Sequence, residues 1–220
     1  MPEIKLENVS KYFFDTKKNI AYTGIYQLSL IIPNHSFTVI TGPSGSGKTT
    51  LLKVIAGLLE IDEGKLFFDG IDYTYLATNK RNLSLLTQND TLYPKMTCFE
   101  IIAYPLLIAK VPIEEIKKRV YEIAELLNIT LFLSRYPKVL SGGQKQLVAL
   151  AKALIKEPSL ILLDEPFANI DEEKRNTLRV ILKNIYEKLK INIILVTHNQ
   201  YDTAYLGTFK IELDNSELKK

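Results

Sequence analysis

Apolar and polar residues alternate along Ile4-Lys-Leu-Glu-Asn-Val9 and along Gln27-Leu-Ser-Leu-Ile-Ile32. A period of two predicts half-buried strands, separated here by a polar loop around Asp15–Asn19. Ser36-Phe-Thr-Val-Ile-Thr41 runs into glycines, the pattern of a buried strand closed by a turn. Beyond the glycines the period changes. Leu51, Leu52, Ile55, Leu58 and Leu59 recur at helical spacing and predict a helix from about Lys48 to Leu59. Lys65–Asp69 and Asn82–Thr87 read as further strands. From Thr97 to Asn128 the pattern is helical, with a break predicted at Pro105 and a restart after Pro112. The last third repeats strand and helix: helix Gly142–Glu157, strand Leu160–Asp164, helix Glu172–Lys188, strand Ile191–Thr197, helix Gln200–Leu206 and strand Phe209–Leu213. Buried strands alternating with helices predict an α/β fold with a mostly parallel sheet. There is no internal repeat or linker, and only a polar tail at Asp214–Lys220 stands apart.

Composition narrows the class. At 220 residues the chain reads as one domain, and 46% hydrophobic with 24% charged residues is ordinary for a globular protein. The single cysteine, Cys98, excludes an intrachain disulfide framework and a cysteine-based zinc site. A net charge of +3 is too small to argue for nucleic acid, and with only 5 arginines among 28 basic residues a base-reading role is disfavoured further. No charged-then-apolar stretch stands at the start of the sequence, so no secretory signal is expected. Its longest apolar run, Ile101 to Ala109, contains Pro105 and falls far short of the roughly 20 residues that cross a bilayer.

Gly42-Pro43-Ser44-Gly45-Ser46-Gly47-Lys48-Thr49 satisfies G-x-x-x-x-G-K-[ST] at every defined position, between a predicted strand and a predicted helix. Gly42, Gly45 and Gly47 let the backbone curl so that successive N–H groups face one anion, and the following helix adds its positive end. Lys48 can bridge the β- and γ-phosphates, and the Thr49 hydroxyl can coordinate Mg²⁺. A plain turn needs neither three spaced glycines nor a Lys-Thr at the helix start. The pattern predicts nucleotide binding.

Leu160-Ile-Leu-Leu-Asp164-Glu165 is an apolar strand ending in two acids, at the strand tip where a parallel sheet presents ligands. Asp164 is placed to hold Mg²⁺ through its water shell, and Glu165 to polarise an attacking water. By itself the pair could be two solvated acids. Leu140-Ser141-Gly142-Gly143-Gln144, however, precedes Asp164 by 24 residues and opens a helix. Its hydroxyl, free N–H groups and helix dipole make a second anion-receiving terminus, although Ser141 alone would also read as a helix cap.

With these residues the chain resembles the ATP-binding cassette (ABC) ATPases, whose signature is LSGGQ. The resemblance covers nearly the whole chain, its motifs falling in a fixed order. Gln88, which ends a strand, resembles the Q-loop glutamine; Asp171 in Ala168-Asn-Ile-Asp171 resembles the D-loop aspartate; His198, at a strand tip, resembles the switch histidine. His35 lies in a Pro-Asn turn and reads as surface. The resemblance implies a P-loop NTPase core with a mostly parallel sheet, an N-terminal antiparallel β subdomain and an α-helical subdomain inserted at about residues 90–146. It implies an ATPase with Glu165, His198, Lys48 and Gln88 as catalytic residues. ATP would be held by Gly42 through Thr50 and an N-terminal aromatic in one chain, and by Ser141, Gly142, Gly143, Gln144 and Asp171 at the partner's site. Mg²⁺ would be held by Thr49, Gln88 and Asp164. Either Tyr12 or Phe13 offers the adenine a π-face, and the spacing from Lys11 favours Phe13. Three positions depart from the family pattern: Leu147 for a basic residue, Ala168 for serine and Asn199 for an acid.

Only 93 residues separate Lys48 from Ser141, which leaves no room for the coiled coil of the chromosome-maintenance members, and there is one cassette rather than two. Gln88-Asn-Asp-Thr-Leu-Tyr-Pro-Lys-Met-Thr97 and Thr197-His-Asn-Gln200 resemble the bacterial solute importers. The resemblance then implies a subunit peripheral to the cytoplasmic face of the membrane, paired head to tail with a second cassette, identical or not. Transmembrane permease subunits would be its other partners. The chain ends near Lys220, so the regulatory domain that follows many such cassettes is expected to be missing. The alternative is a soluble ATPase switch in a non-transport assembly. For the transporter reading, Leu92, Tyr93 and Met96 are expected to line a groove for a permease helix. Phe99, Ile102, Leu106, Ile108, Ile116 and Ile123 on the helices beyond carry more apolar surface than those helices bury between themselves, and either form that groove or pack on the central sheet.

Overall fold

The computed structural model describes residues 2–15, 20–87, 92–168 and 170–214. Strands β1 (Ile4–Asp15), β2 (Ile20–Ile32), β4 (Glu63–Phe68) and β5 (Ile71–Asp72) form an antiparallel sheet in the order β2-β1-β4-β5. β1 and β2 are far longer than period two predicts, because their pairing carries irregularities between Leu6 and Val9, Val9 and Lys11, and Lys11 and Tyr12. Each extra residue flips which parity faces the core, so the ribbon continues while the alternation dissolves. The predicted loop around Asp15–Asn19 falls on residues 16–19, which lie outside the described residues, as does the tail at 215–220.

Strands β3 (Phe37–Thr41), β6 (Leu83–Leu86), β7 (Leu160–Asp164), β8 (Asn192–Val196) and β9 (Phe209–Glu212) form the second sheet, all parallel, in the order β6-β7-β8-β3-β9. Every residue of β7 and β8 is buried. One face presents Phe37, Val39, Ile161, Leu163, Ile193 and Leu195 to a core shared with the helices, while Ile40, Leu160, Leu162, Ile194 and Val196 point into a second core beneath the antiparallel sheet. A parallel strand covered on both faces has to be apolar throughout, which is why these strands read as continuous runs.

Helix α1 (Lys48–Ala56) stops before the predicted Leu59, at Gly57, whose φ of 72° ends the helix. Two of its last carbonyls, Val54 O and Ile55 O, accept from Arg81 Nη1, while Nη2 donates to Tyr73 O and Nε to Leu76 O beyond β5. Between β6 and β7 the chain passes through α2 (Cys98–Ile108), α3 (Ile113–Leu126) and α4 (Gly142–Leu154), the inserted helical region that was expected. The break at Pro105 is not there: the proline lies inside α2. A proline in a helix interior costs about 3 kcal/mol. Burying Ile101, Ile102 and Leu106 returns roughly 1.5–3 kcal/mol each, and Thr97 with Glu100 closes a capping box at the start. α5 (Glu172–Leu189) and α6 (Gln200–Leu206) complete the α/β fold.

The helical region buries more than the sequence suggests. Ile102, Leu106 and Ile116 are core residues, and Phe99, Met96 and Ile123 pack against that core. Leu92, expected to line an open groove, is buried; Tyr93 and Ile108 remain exposed.

Candidate functional site

The loop after β3 is built by close approaches. Gly47, the N-cap of α1, has φ of 86°, and a Cβ there would stand 2.3 Å from Gly24 O in β2. At Gly42, with φ of 145°, a Cβ would stand 2.3 Å from Leu213 O just beyond β9. Neither position admits a side chain. The loop is therefore clamped between the antiparallel sheet on one side and the end of β9 on the other. Gly24 in turn supports Phe13, since a Cβ on it would fall 2.4 Å from the ring and 3.2 Å from Thr50 Cγ2. Phe13 thus sits over the start of α1, stacked on Tyr22 at 5.3 Å. Tyr12 points to the opposite face, its hydroxyl donating to Glu63.

Lys48 folds back over the loop, Nζ donating to Gly42 O at 2.9 Å, Pro43 O at 2.7 Å and Ser46 Oγ at 3.4 Å. Burial lowers its ammonium below the ordinary value, against the pull of Glu165 and Asp164. Thr49 Oγ1 donates to Asp164 Oδ1 at 3.1 Å, joining the start of α1 to the tip of β7. Burial raises the Asp164 carboxyl above its usual value, while the bond from Thr49 and the charges of Lys53 and Lys48 act the other way. A hydroxyl and a half-stripped carboxylate are hard oxygen donors suited to Mg²⁺. No group of three His, Cys, Asp or Glu side chains among the described residues could hold a metal. A cation at Thr49 and Asp164 would therefore complete its shell with phosphate and water oxygens.

Glu165 follows β7 in a left-handed conformation, φ 49°, fixed by its N–H donating to Val196 O in β8 at 3.0 Å. Such a backbone in a non-glycine residue is strained and needs this support. The turn aims the carboxylate at the end of β8, where Oε1 meets His198 Nδ1 at 2.9 Å. The imidazole is 77% exposed, the carboxylate 20%, so the pair opens outward from the C-terminal ends of the strands. The predicted P-loop, Asp164, Glu165 and His198 thus converge at the C-terminal ends of β3, β7 and β8. Gln88 lies outside the described residues.

Ser141 and Gln144 do not join this cluster. Ser141 is the N-cap of α4, its Oγ accepting from Gln144 N at 3.4 Å while Gln144 Oε1 accepts from Ser141 N at 3.0 Å. Gly142 is exposed and Gly143 packs on the stem of Lys174, where a Cβ would meet Cδ at 3.4 Å. Lys174 pairs with Asp171, the N-cap of α5, and holds its carboxyl below the usual value. Signature and D-loop are therefore neighbours on the surface. Sequence reading missed Arg179 and Asp202, a buried ion pair behind this surface. The available signal was an arginine on the apolar face of α5, three residues before Leu182.

Comparison with known proteins places these motifs in context. The family model described as ABC transporter matches residues 25–168. The oligosaccharides import ATP-binding protein MsmX of Bacillus subtilis is 36% identical over all 220 residues, which make up 59% of its length. The spermidine/putrescine import ATP-binding protein PotA of Thermotoga maritima is 42% identical over 90% of this chain and 52% of its own. The chain thus spans half to three-fifths of the length of these two relatives. Among solved structures, the dimeric bacterial ABC transporter cassette MJ0796 superposes with a TM-score of 0.86 at 30% identity, covering 99% of this chain and 97% of the other. Fold, motif order and sequence likeness agree: this chain belongs to the ABC transporter family, as an ATP-binding cassette.

Proposed function

We propose that the chain is the ATP-binding and ATP-hydrolysing subunit of an ABC transporter that drives solute import. The observation that carries this is the 2.9 Å contact between Glu165 and His198, set beside the Thr49–Asp164 pair. Glu165 acts as the base for the attacking water, His198 holds the γ-phosphate and orients Glu165, and Lys48 exchanges its loop carbonyls for the phosphates. When bound at Thr49, Asp164 and Gln88, Mg²⁺ supplies charge neutralisation on the phosphates. Phe13 stacks on the adenine. Ser141 through Gln144 and Asp171, standing apart from the P-loop, serve the nucleotide of a second cassette paired head to tail. One solved relative is a dimeric cassette bound to ADP and Pi, which supports both the pairing and the hydrolysis.

No helix among the described residues is long and apolar enough to cross a membrane. The names of the import ATP-binding relatives support a chain peripheral on the cytoplasmic face that works through transmembrane permease partners. Relatives named for oligosaccharides, spermidine/putrescine and sulfate/thiosulfate lie at 36–42% identity, which supports cargo choice by the partner chains rather than by the cassette. The test has two arms. Purified chain releases phosphate from ATP with Mg²⁺ and not with EDTA, and coexpressed chain copurifies with a transmembrane permease. Absence of Mg²⁺-dependent hydrolysis in both the free and the assembled state would overturn the proposal.

A further inference from the structure

Behind the exposed Glu165–His198 pair lies an ion pair of the opposite character. Arg179 in α5 and Asp202 in α6 are each 1% exposed, with Nε 2.6 Å from Oδ1. The guanidinium lies over Tyr201 at 4.6 Å and Phe167 at 5.9 Å from their ring centroids, so residues from both turns flank it. Phe167 follows Glu165 by two positions, and Tyr201 follows His198 by three. Nη1 donates to Glu172, immediately after Asp171. The other Asp202 oxygen accepts from Thr197 Oγ1 at 2.9 Å, and Thr197 Oγ1 accepts from Asn199 N at 3.1 Å. His198 is thus bracketed, residue before and residue after, by one hydroxyl that Asp202 holds.

Stability does not account for such a pair. Burying two charges is expensive, and an apolar replacement of similar volume is commonly as stable. Nη2 of Arg179 is buried without a hydrogen-bond partner among the described residues, which raises the cost. What an apolar core would not supply is direction. Arg179 joins α5 to α6 through its Nε bond to Asp202, and Asp202 through Thr197 steadies the turn that carries the exposed imidazole. We propose that Arg179, Asp202 and Thr197 form a positioning unit that keeps His198 at hydrogen-bonding distance from Glu165 and ties that distance to the start of α5, where Asp171 meets the second cassette. This rests on the hydrolytic reading of the Glu165–His198 pair.

The test is Thr197→Val, which keeps the volume and removes only the bridging hydroxyl, beside Thr197→Ser and Asp202→Asn. For each full-length variant, kcat and KM for ATP, affinity for a trinitrophenyl ATP analogue and the thermal midpoint are measured. Thr197→Val and Asp202→Asn should lower kcat by about tenfold or more while KM and analogue affinity stay within about twofold, the mark of lost alignment rather than lost binding. Thr197→Ser should return kcat to within about threefold of the parent. Thr197→Val at parental kcat, or a kcat loss that tracks analogue affinity and midpoint, overturns the positioning role while leaving the hydrolase reading intact. A parent chain that hydrolyses no ATP overturns both.

Discussion

His198 Nδ1 stands 2.9 Å from Glu165 Oε1, and the two reach each other only because the backbone of Glu165 is left-handed and pinned to Val196 of the neighbouring strand. Removing the carboxylate charge while keeping its shape should therefore separate binding from chemistry. Glu165→Gln is expected to bind Mg-ATP normally and to lose about 10²–10⁴-fold in turnover. Phosphate-release kinetics beside nucleotide titration decide it; near-parental turnover would remove Glu165 from the role of base.

The same variant should report on pairing. With ATP retained and not hydrolysed, each nucleotide links one chain's P-loop to the other's Ser141–Gln144 terminus, so ligand binding and association are coupled. Light scattering should show a monomer without nucleotide and a dimer for Glu165→Gln with ATP. Adding Ser141→Arg should restore the monomer without weakening ATP binding. Equal mass with and without ATP would contradict this.

Asp164 carries a cost. Because burial raises its carboxyl, its ionised form opposes folding at neutral pH. Asp164→Asn should therefore raise the thermal midpoint of the nucleotide-free chain while removing the Mg²⁺ dependence of binding. The sign with pH follows. The unfavourable term grows as pH rises through the raised value and vanishes below the unfolded one, so the midpoint difference should shrink on acidification. A difference that is constant with pH would locate its origin elsewhere.

Phe13 and Tyr12 are adjacent but face opposite ways, and only Phe13 borders Gly24 and the start of α1. Phe13→Ala should weaken ATP binding by about 1–3 kcal/mol, the usual worth of stacking one base on an aromatic ring. Tyr12→Ala should leave it within about twofold, a surface change of small energy. Isothermal titration distinguishes them, and the reverse ranking would reassign the adenine contact.

Arg81 offers a prediction about the scaffold. It is 4% exposed and lies against backbone carbonyls that end α1. Arg81→Met should cost about 3–5 kcal/mol by stranding those acceptors. Urea denaturation with a loss under 1 kcal/mol would show that water replaces the guanidinium freely.

Much of this was legible beforehand, and the exceptions have physical causes. β7 and α6 fall at the predicted residues because one is an unbroken apolar run and the other starts at an Asn199 cap. The P-loop and Asp164–Glu165 were legible because each chemistry demands its residue types at fixed spacing, whereas His198 was legible only through the family resemblance. The lengths of β1 and β2 were not, since bulges erase the period that would announce them. Pro105 misleads because local propensity is outweighed by burial of its neighbours. Arg179 and Asp202 lie 23 residues apart, and no local pattern says that the two side chains meet.

The clamp on the P-loop has a consequence for how the chain is made. Gly42 is translated well before the backbone it leans on, around Leu213. The edge beside it is likewise closed only when β9 pairs with β3, where Thr41 reaches Ile211 across 170 positions. A nascent chain that already displays every motif from Gly42 to Asp164 still has one wall of its phosphate cradle missing. Nucleotide binding is thereby deferred until β9 has been made, and a ribosome that stalls before β9 releases a chain with its motifs in place and its cradle open.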